Sequence, residues 1–137
     1  MGTNYYHETY SCDCCKAATE RRHIGKSSGG WCFALHVYPE EGINTLEDWK
    51  TLFRQPNSRI VDEYGVPEIM PSMLRIIEHR RWKPRDDKSY DYSSWEDFHQ
   101  KNYSQDGPNN LLRHKIMANH CIGHGEGTWD YIIGEFS

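Results

Sequence analysis

The eight residues WCFALHVY, Trp31 to Tyr38, alternate large apolar side chains with smaller or polar ones. Because successive side chains of a β-strand point to opposite faces, this pattern predicts a strand with four residues in the core, namely Trp31, Phe33, Leu35 and Val37. The opposite face then carries the intervening residues, namely Cys32, Ala34, His36 and Tyr38.

Two apolar stripes at helical spacing follow this strand. The first predicts a helix from about Leu46, capped by Asn44 or Thr45, and the second predicts a helix from Pro71, whose missing N–H is harmless in a first turn. Residues 93–98 begin with a capping-box pattern and predict a third, short helix.

Further strands are predicted at residues 4–10, which alternate aromatic and polar side chains, and at residues 128–136, which are rich in aromatic and β-branched residues. Residues 111–121 fit either a helix or a strand. The sequence therefore predicts an α+β fold, in which a small antiparallel sheet carries two or three helices after a zinc-knuckle-like N-terminal turn. With 137 residues, the chain is expected to form a single domain over residues 1–137.

Composition excludes some classes of protein. The net charge of −4 argues against non-specific nucleic-acid binding, which needs clustered basic residues. No run approaches the roughly 20 apolar residues of a membrane span, and no secretion signal is recognisable at the N-terminus. A cytoplasmic protein is therefore expected, in which the five cysteines are reduced.

A metal site is the first functional hypothesis. Cys12 and Cys15 have the Cys-x-x-Cys spacing at which a tight turn directs two thiolates to one zinc ion. A structural zinc site needs four ligands, so we expect His23 and His36 to complete it. Other candidates for a ligand position are Cys32 first, then His7 and Cys14. The cysteines can equally be buried small residues or free thiols, since the second cysteine pair of a zinc finger is absent.

A glycine-serine segment is the second hypothesis. Gly25-Lys26-Ser27-Ser28-Gly29-Gly30 contains the letters of a phosphate-binding loop, but Glu20 stands where that motif needs its first glycine. A strand also follows where the motif needs a helix. The amides and hydroxyls of Gly25, Lys26, Ser27 and Ser28, with His23, can still form an anion-binding loop, or the segment can be a simple hairpin turn.

Four residues near the C-terminus can also carry chemistry, namely His114, His120, Cys121 and His124. They can bind a second metal or supply a general base near neutral pH, or they can lie in a solvated loop. The sequence contains no serine-hydrolase, zinc-protease or dinucleotide motif, so an enzyme is not the favoured interpretation.

Four segments together carry a family resemblance, namely MGTNYY (1–6), CDCC (12–15), HIGKSSGGW (23–31) and GEFS (134–137). They resemble small bacteriophage and prophage proteins of unknown function, over roughly the first forty residues and the last few. Many members carry a glycine after the two cysteines, where this chain has Lys16. The resemblance implies a phage accessory protein that disables a host enzyme or defence system, or one that captures a nucleotide signal.

Two functions follow as hypotheses. The first is a small phage-encoded, zinc-stabilised binding protein that acts on a host protein, for example as an inhibitor of host defence; its tryptophans and tyrosines suit an interface. The alternative is a protein that binds a nucleotide or phosphate ligand at Gly25 to Gly30, as a sponge or an enzyme.

Overall fold

A long antiparallel hairpin of β1 (Gly2–Tyr10) and β2 (Ala18–Ser28) begins the chain. The computed structural model describes residues 2–11, 14, 17–28, 33–78, 93–94, 96, 103–104, 112–113 and 129–136. In β2, one extra residue, Ile24, lies between the partners of Tyr5 and Tyr6, which are Gly25 and His23. This β-bulge places Ile24 in the core while His23 stays on the opposite face.

The remaining elements follow in chain order as strands, a 3-10 turn (Pro39–Glu41) and helices. They are β3 (Phe33–Val37), α1 (Leu46–Phe53), β4 (Ser58–Asp62), β5 (Pro67–Glu68), α2 (Met70–Glu78), β6 (Tyr103–Ser104), β7 (Leu112–Arg113) and β8 (Trp129–Ile133). The described strands form one sheet in the order β5-β4-β1-β2-β3-β8-β7-β6. Within the described ranges, no helix combines the length and the apolar content that a membrane crossing requires.

The chain is a small α+β protein, as predicted, but the sheet is mixed. The prediction of an antiparallel sheet is wrong at β8, which pairs in parallel with β3 and with β7. Strands β4 and β5 were not predicted from the sequence, and neither was β2, whose residues 25–28 were interpreted as part of a loop.

The core lies on one face of the sheet, under α1 and α2, and we call this the helix face. It contains the predicted strand residues Phe33, Leu35 and Val37, together with Tyr5, Ile24, Ile43, Leu46, Trp49, Ile60, Met73, Ile77 and Tyr131. Helix α1 begins with the capping box predicted as one of two alternatives, in which Thr45 and Asp48 bond each other's backbone N–H groups. Helix α2 begins one residue before Pro71. In the third predicted helix, Glu96 is helical, and Trp95 and Phe98 lie outside the described residues.

Candidate functional site

Two histidines meet on the face of the sheet opposite α1 and α2, which we call the polar face. The Nδ1 atoms of His23 on β2 and His36 on β3 lie 3.0 Å apart. Both residues were predicted zinc ligands, and the pairing of β2 with β3 brings them together. The polar face also carries Asn4, Tyr6 and Glu8 of β1 and Arg21 of β2.

The hydrogen bonds fix which ring nitrogen of each histidine carries the hydrogen. The Oδ1 atom of Asn4 only accepts, so Nε2–H of His23 must donate to it, at 2.8 Å, and Nδ1 of His23 holds a lone pair. The Tyr38 hydroxyl donates to the His23 carbonyl at 3.1 Å. Nδ1 of His36 lies 3.2 Å from that hydroxyl and must therefore carry a hydrogen, which it directs between His23 and Tyr38.

Aromatic rings surround the pair. Tyr38 stacks on His36 with ring centroids 4.1 Å apart, and Tyr6 lies 5.3 Å from His23. Phe136, three residues after β8, contacts both imidazoles; its ring centroid lies 4.7 Å from that of His23 and 5.0 Å from that of His36. The pair therefore lies in an apolar environment that favours the uncharged form of each ring.

The pKa shifts agree with this geometry. The pKa of His23 is lowered to about 4, mainly by burial and in addition by the charges of His36, Lys26 and Arg21. Burial also lowers the pKa of His36, although Glu135 and Glu40 oppose the shift. Burial raises the pKa of Tyr38 to about 12, so its hydroxyl keeps its hydrogen. At neutral pH the cluster is uncharged.

We expect folding stability to fall as the pH drops below 6.5. Because the pKa of each histidine is lower in the folded state than its ordinary 6.5, the unfolded state binds more protons below pH 6.5. The contribution of the two histidines to the free energy of unfolding is therefore fully present above pH 6.5. It is lost as the pH falls towards 4, by up to about 1.4 kcal/mol per pH unit for each group. Urea unfolding at several pH values measures the slope. The variant His23→Gln, which keeps a donor for Asn4, should have a shallower slope, and an unchanged slope would contradict the assignment.

His7, an alternative zinc ligand, cannot join this pair because it lies on the helix face of β1. There its ring packs against that of Phe53, with ring centroids 6.0 Å apart. Neither of its ring nitrogens has a hydrogen-bond partner within the described residues. Burial is the main cause that lowers the pKa of His7; the Leu52 carbonyl opposes the shift, but its geometry falls short of a hydrogen bond.

The predicted cysteine ligands Cys12 and Cys15 lie outside the described residues, as does Cys32, the first alternative for a ligand position. Cys14 is described and is exposed. No group of three or more potential metal ligands converges among the residues that the structure describes. His23 lies five residues after Ala18 along β2, a distance of about 17 Å. A site that joins Cys15 to His23 therefore requires residues 15–17 to run back along β2.

The glycine-serine segment is a strand up to residue 28. Gly25, Lys26, Ser27 and Ser28 lie in β2, so the prediction of a loop is wrong for these four residues. Ser27 is buried opposite Thr3. Gly29 and Gly30, like His114, His120, Cys121 and His124, lie outside the described residues.

Several residues that surround or border this face were not predicted from the sequence. Alternation had placed Tyr38 beside His36, but no local pattern connects Asn4 or Phe136 to the pair, because the sheet topology brings them in. The β4–β5 hairpin was also missed, although Gly65 between short apolar runs is a turn signal.

The hairpin carries the exposed large hydrophobic residues of the described chain. The exposed fractions are 81% for Tyr64, 52% for Val66 and 71% for Ile69. These three residues lie within six positions, at the edge of the sheet where β5 ends the strand order. We call residues 62–69 the edge hairpin.

Comparisons with protein-family models, with curated proteins and with solved structures found no match to this chain.

Proposed function

We propose that this chain is a non-enzymatic binding protein that acts on another protein and contacts it through the edge hairpin. The observation that carries the proposal is the exposure of Tyr64, Val66 and Ile69 within six residues of the chain, in one hairpin. Exposed apolar groups that cluster in this way mark interaction sites, whereas single exposed apolar residues need no explanation. A tyrosine is also among the residues that most often contribute strongly to binding.

Hydrogen bonds to Asp62 order the turn of the edge hairpin. The Asp62 carboxylate accepts hydrogen bonds from the backbone N–H groups of Tyr64 and Val66, at 2.8 and 2.9 Å. Gly65 has a positive φ of 81° and donates its N–H to the Asp62 carbonyl. A surface held in one conformation loses little conformational entropy on binding, which favours affinity.

The contact is expected to be made by side chains rather than by strand addition. β5 lies at the sheet edge and includes Pro67, which has no backbone N–H to offer another strand. Tyr64 and Ile69, on either side of β5, are the anchors we expect a partner to cover.

The resemblance to phage proteins suggests the kind of partner. We propose that the chain is encoded by a phage, acts in the host cytoplasm and binds a host protein, for example to inhibit a defence system.

Capture from host lysate tests the proposal. We expect the wild-type protein to retain a specific host protein and the variant Tyr64→Ser/Ile69→Ser to lose it, because the apolar contact area is removed. The matched control is Arg54→Ser/Gln55→Ser, two exposed residues after α1. Equal capture by all three proteins, with equal melting temperatures, would show that the edge hairpin is not the contact surface.

Zinc stabilisation is a further part of the proposal. His23 and His36 would supply two nitrogens, once His36 moves its hydrogen from Nδ1 to Nε2, and Cys12 and Cys15 would supply two thiolates. Two ligand nitrogens of a tetrahedral zinc ion lie about 3.3 Å apart, so the observed 3.0 Å requires only a small movement.

Elemental analysis of freshly purified protein tests the zinc site. We expect about one zinc ion per chain and a lower melting temperature in chelator, since a structural zinc contributes directly to folding free energy. His36→Ala should lose the metal, whereas His7→Ala should keep it. Less than about 0.2 zinc per chain, with melting unchanged by chelator, would contradict the site.

Binding of a nucleotide or phosphate ligand is the alternative function. Lys26 lies close enough to His23 to lower its pKa, so both residues could face one anion. The strand conformation of Gly25 supports this function less well, because Phe33 and the Ala34 carbonyl fill the space beside its Cα atom.

A further inference from the structure

Two arginines share one carboxylate on the polar face, next to the edge hairpin. Nε of Arg59 donates to Oε1 of Glu8 at 2.9 Å, and Nε of Arg21 lies 3.6 Å from Oε2. The Glu8 side chain is 13% exposed, compared with 50% for Arg21 and 32% for Arg59. A single carboxylate beneath the sheet surface therefore orients two guanidinium groups that remain accessible.

Aromatic rings also hold the two guanidinium groups. The Arg21 guanidinium lies 3.8 Å from the ring centroid of Tyr6, and the Arg59 guanidinium lies 5.5 Å from the ring centroid of Tyr10. Glu8 engages the Nε edge of each arginine, so the terminal N–H groups are available to a ligand. Pre-organised guanidinium forks of this kind match the two oxygens of a carboxylate.

The arginines border a cavity of about 400 Å³ that connects them to the edge hairpin. Its lining includes Val61 of β4 and Glu63, Gly65 and Pro67 of the hairpin, in addition to Glu8 and the two arginines. A partner that covers Tyr64 and Val66 therefore also reaches the arginines.

We propose that this cavity receives an acidic side chain of the partner protein, an aspartate or a glutamate. This inference rests on the proposed function, because it names the chemistry that the partner must present beside its apolar contact. Glu8 and Glu63 balance the charge of the two arginines in the lining. The guanidinium N–H groups must therefore hold the ligand by hydrogen bonds rather than by net charge. The two glutamates repel any anion, and they repel a doubly charged phosphate more strongly than a singly charged carboxylate.

NMR titration of the Nε–H signals of Arg21 and Arg59 tests the inference without the partner. The probe is N-acetyl-glutamate N-methylamide, and the neutral control is its glutamine analogue. We expect saturable shifts of both signals with the glutamate probe, at a dissociation constant of about 1–10 mM, and none with glutamine. Arg21→Gln and Arg59→Gln should each weaken binding about tenfold, whereas Arg75→Gln, which removes the same charge from α2, should not.

Three results would overturn the inference: equal shifts with both probes, no saturable shift with either, or tighter binding of inorganic phosphate than of the glutamate probe. Host-lysate capture separates its failure from that of the proposed function. If Arg59→Gln retains the captured protein that Tyr64→Ser/Ile69→Ser loses, the acidic contact is wrong and the edge hairpin remains the binding surface.

Discussion

Gly25→Ala should lower the free energy of unfolding by about 3 kcal/mol or more, because β2 and β3 approach each other too closely here for any side chain. A Cβ atom at this position would lie 2.1 Å from the carbonyl oxygen of Ala34 and 2.5 Å from Cε1 of Phe33. The Phe33 ring can rotate, but the Ala34 carbonyl is backbone of the adjacent strand. The substitution must therefore separate the two strands that bring His23 to His36.

Gly42→Ala is the matched control. Gly42 has a positive φ of 76°, but no atom lies within 4 Å of the position that a Cβ atom would take, so alanine should cost only about 1 kcal/mol there. Urea unfolding of both variants measures the difference. A Gly25→Ala protein as stable as the Gly42→Ala protein would mean that β2 and β3 are not paired as described.

Phe33→Ala should cost about 3–5 kcal/mol, the range for removal of a large aromatic side chain from a packed core. Phe33 is fully buried on the helix face and contacts Tyr5, with ring centroids 6.4 Å apart. Leu35→Ala, two residues along the same face, should cost about 2–5 kcal/mol.

The comparison for these truncations is Ile69→Ala, since Ile69 is a large apolar residue that is mostly exposed. It should change stability by less than about 0.5 kcal/mol. Chemical denaturation of the three variants gives the values directly. Losses below about 1 kcal/mol at both Phe33 and Leu35 would show that β3 faces the other way.

Strand β3 could be predicted because its local pattern and its packing agree. Phe33, Leu35 and Val37 are apolar at every second position, and all three are buried under the helices. Strand β2 could not be predicted in the same way. Its first half is polar and exposed, and the bulge at Ile24 interrupts the alternation, so pairing with β1 holds it rather than an apolar face of its own.

The parallel pairing of β3 with β8 could not be predicted either. Phe33 pairs with Trp129, and no local pattern records a contact between residues so distant in sequence. The surroundings of the histidine pair could be predicted only in part. Alternation along β3 placed His36 on the same face as Tyr38. Asn4 and Phe136 reach the pair through the order of the strands, which no local pattern records.

Hydrogen–deuterium exchange of the protein, free and bound to its captured host partner, tests the proposed binding surface most directly. We expect binding to slow exchange in the edge hairpin and in the segment that begins α2, because the partner covers Tyr64, Val66 and Ile69. The exposed turn after α1, at Arg54 and Gln55, should exchange at the same rate in both states. Slowed exchange at that turn, with residues 62–69 unchanged, would contradict the proposal.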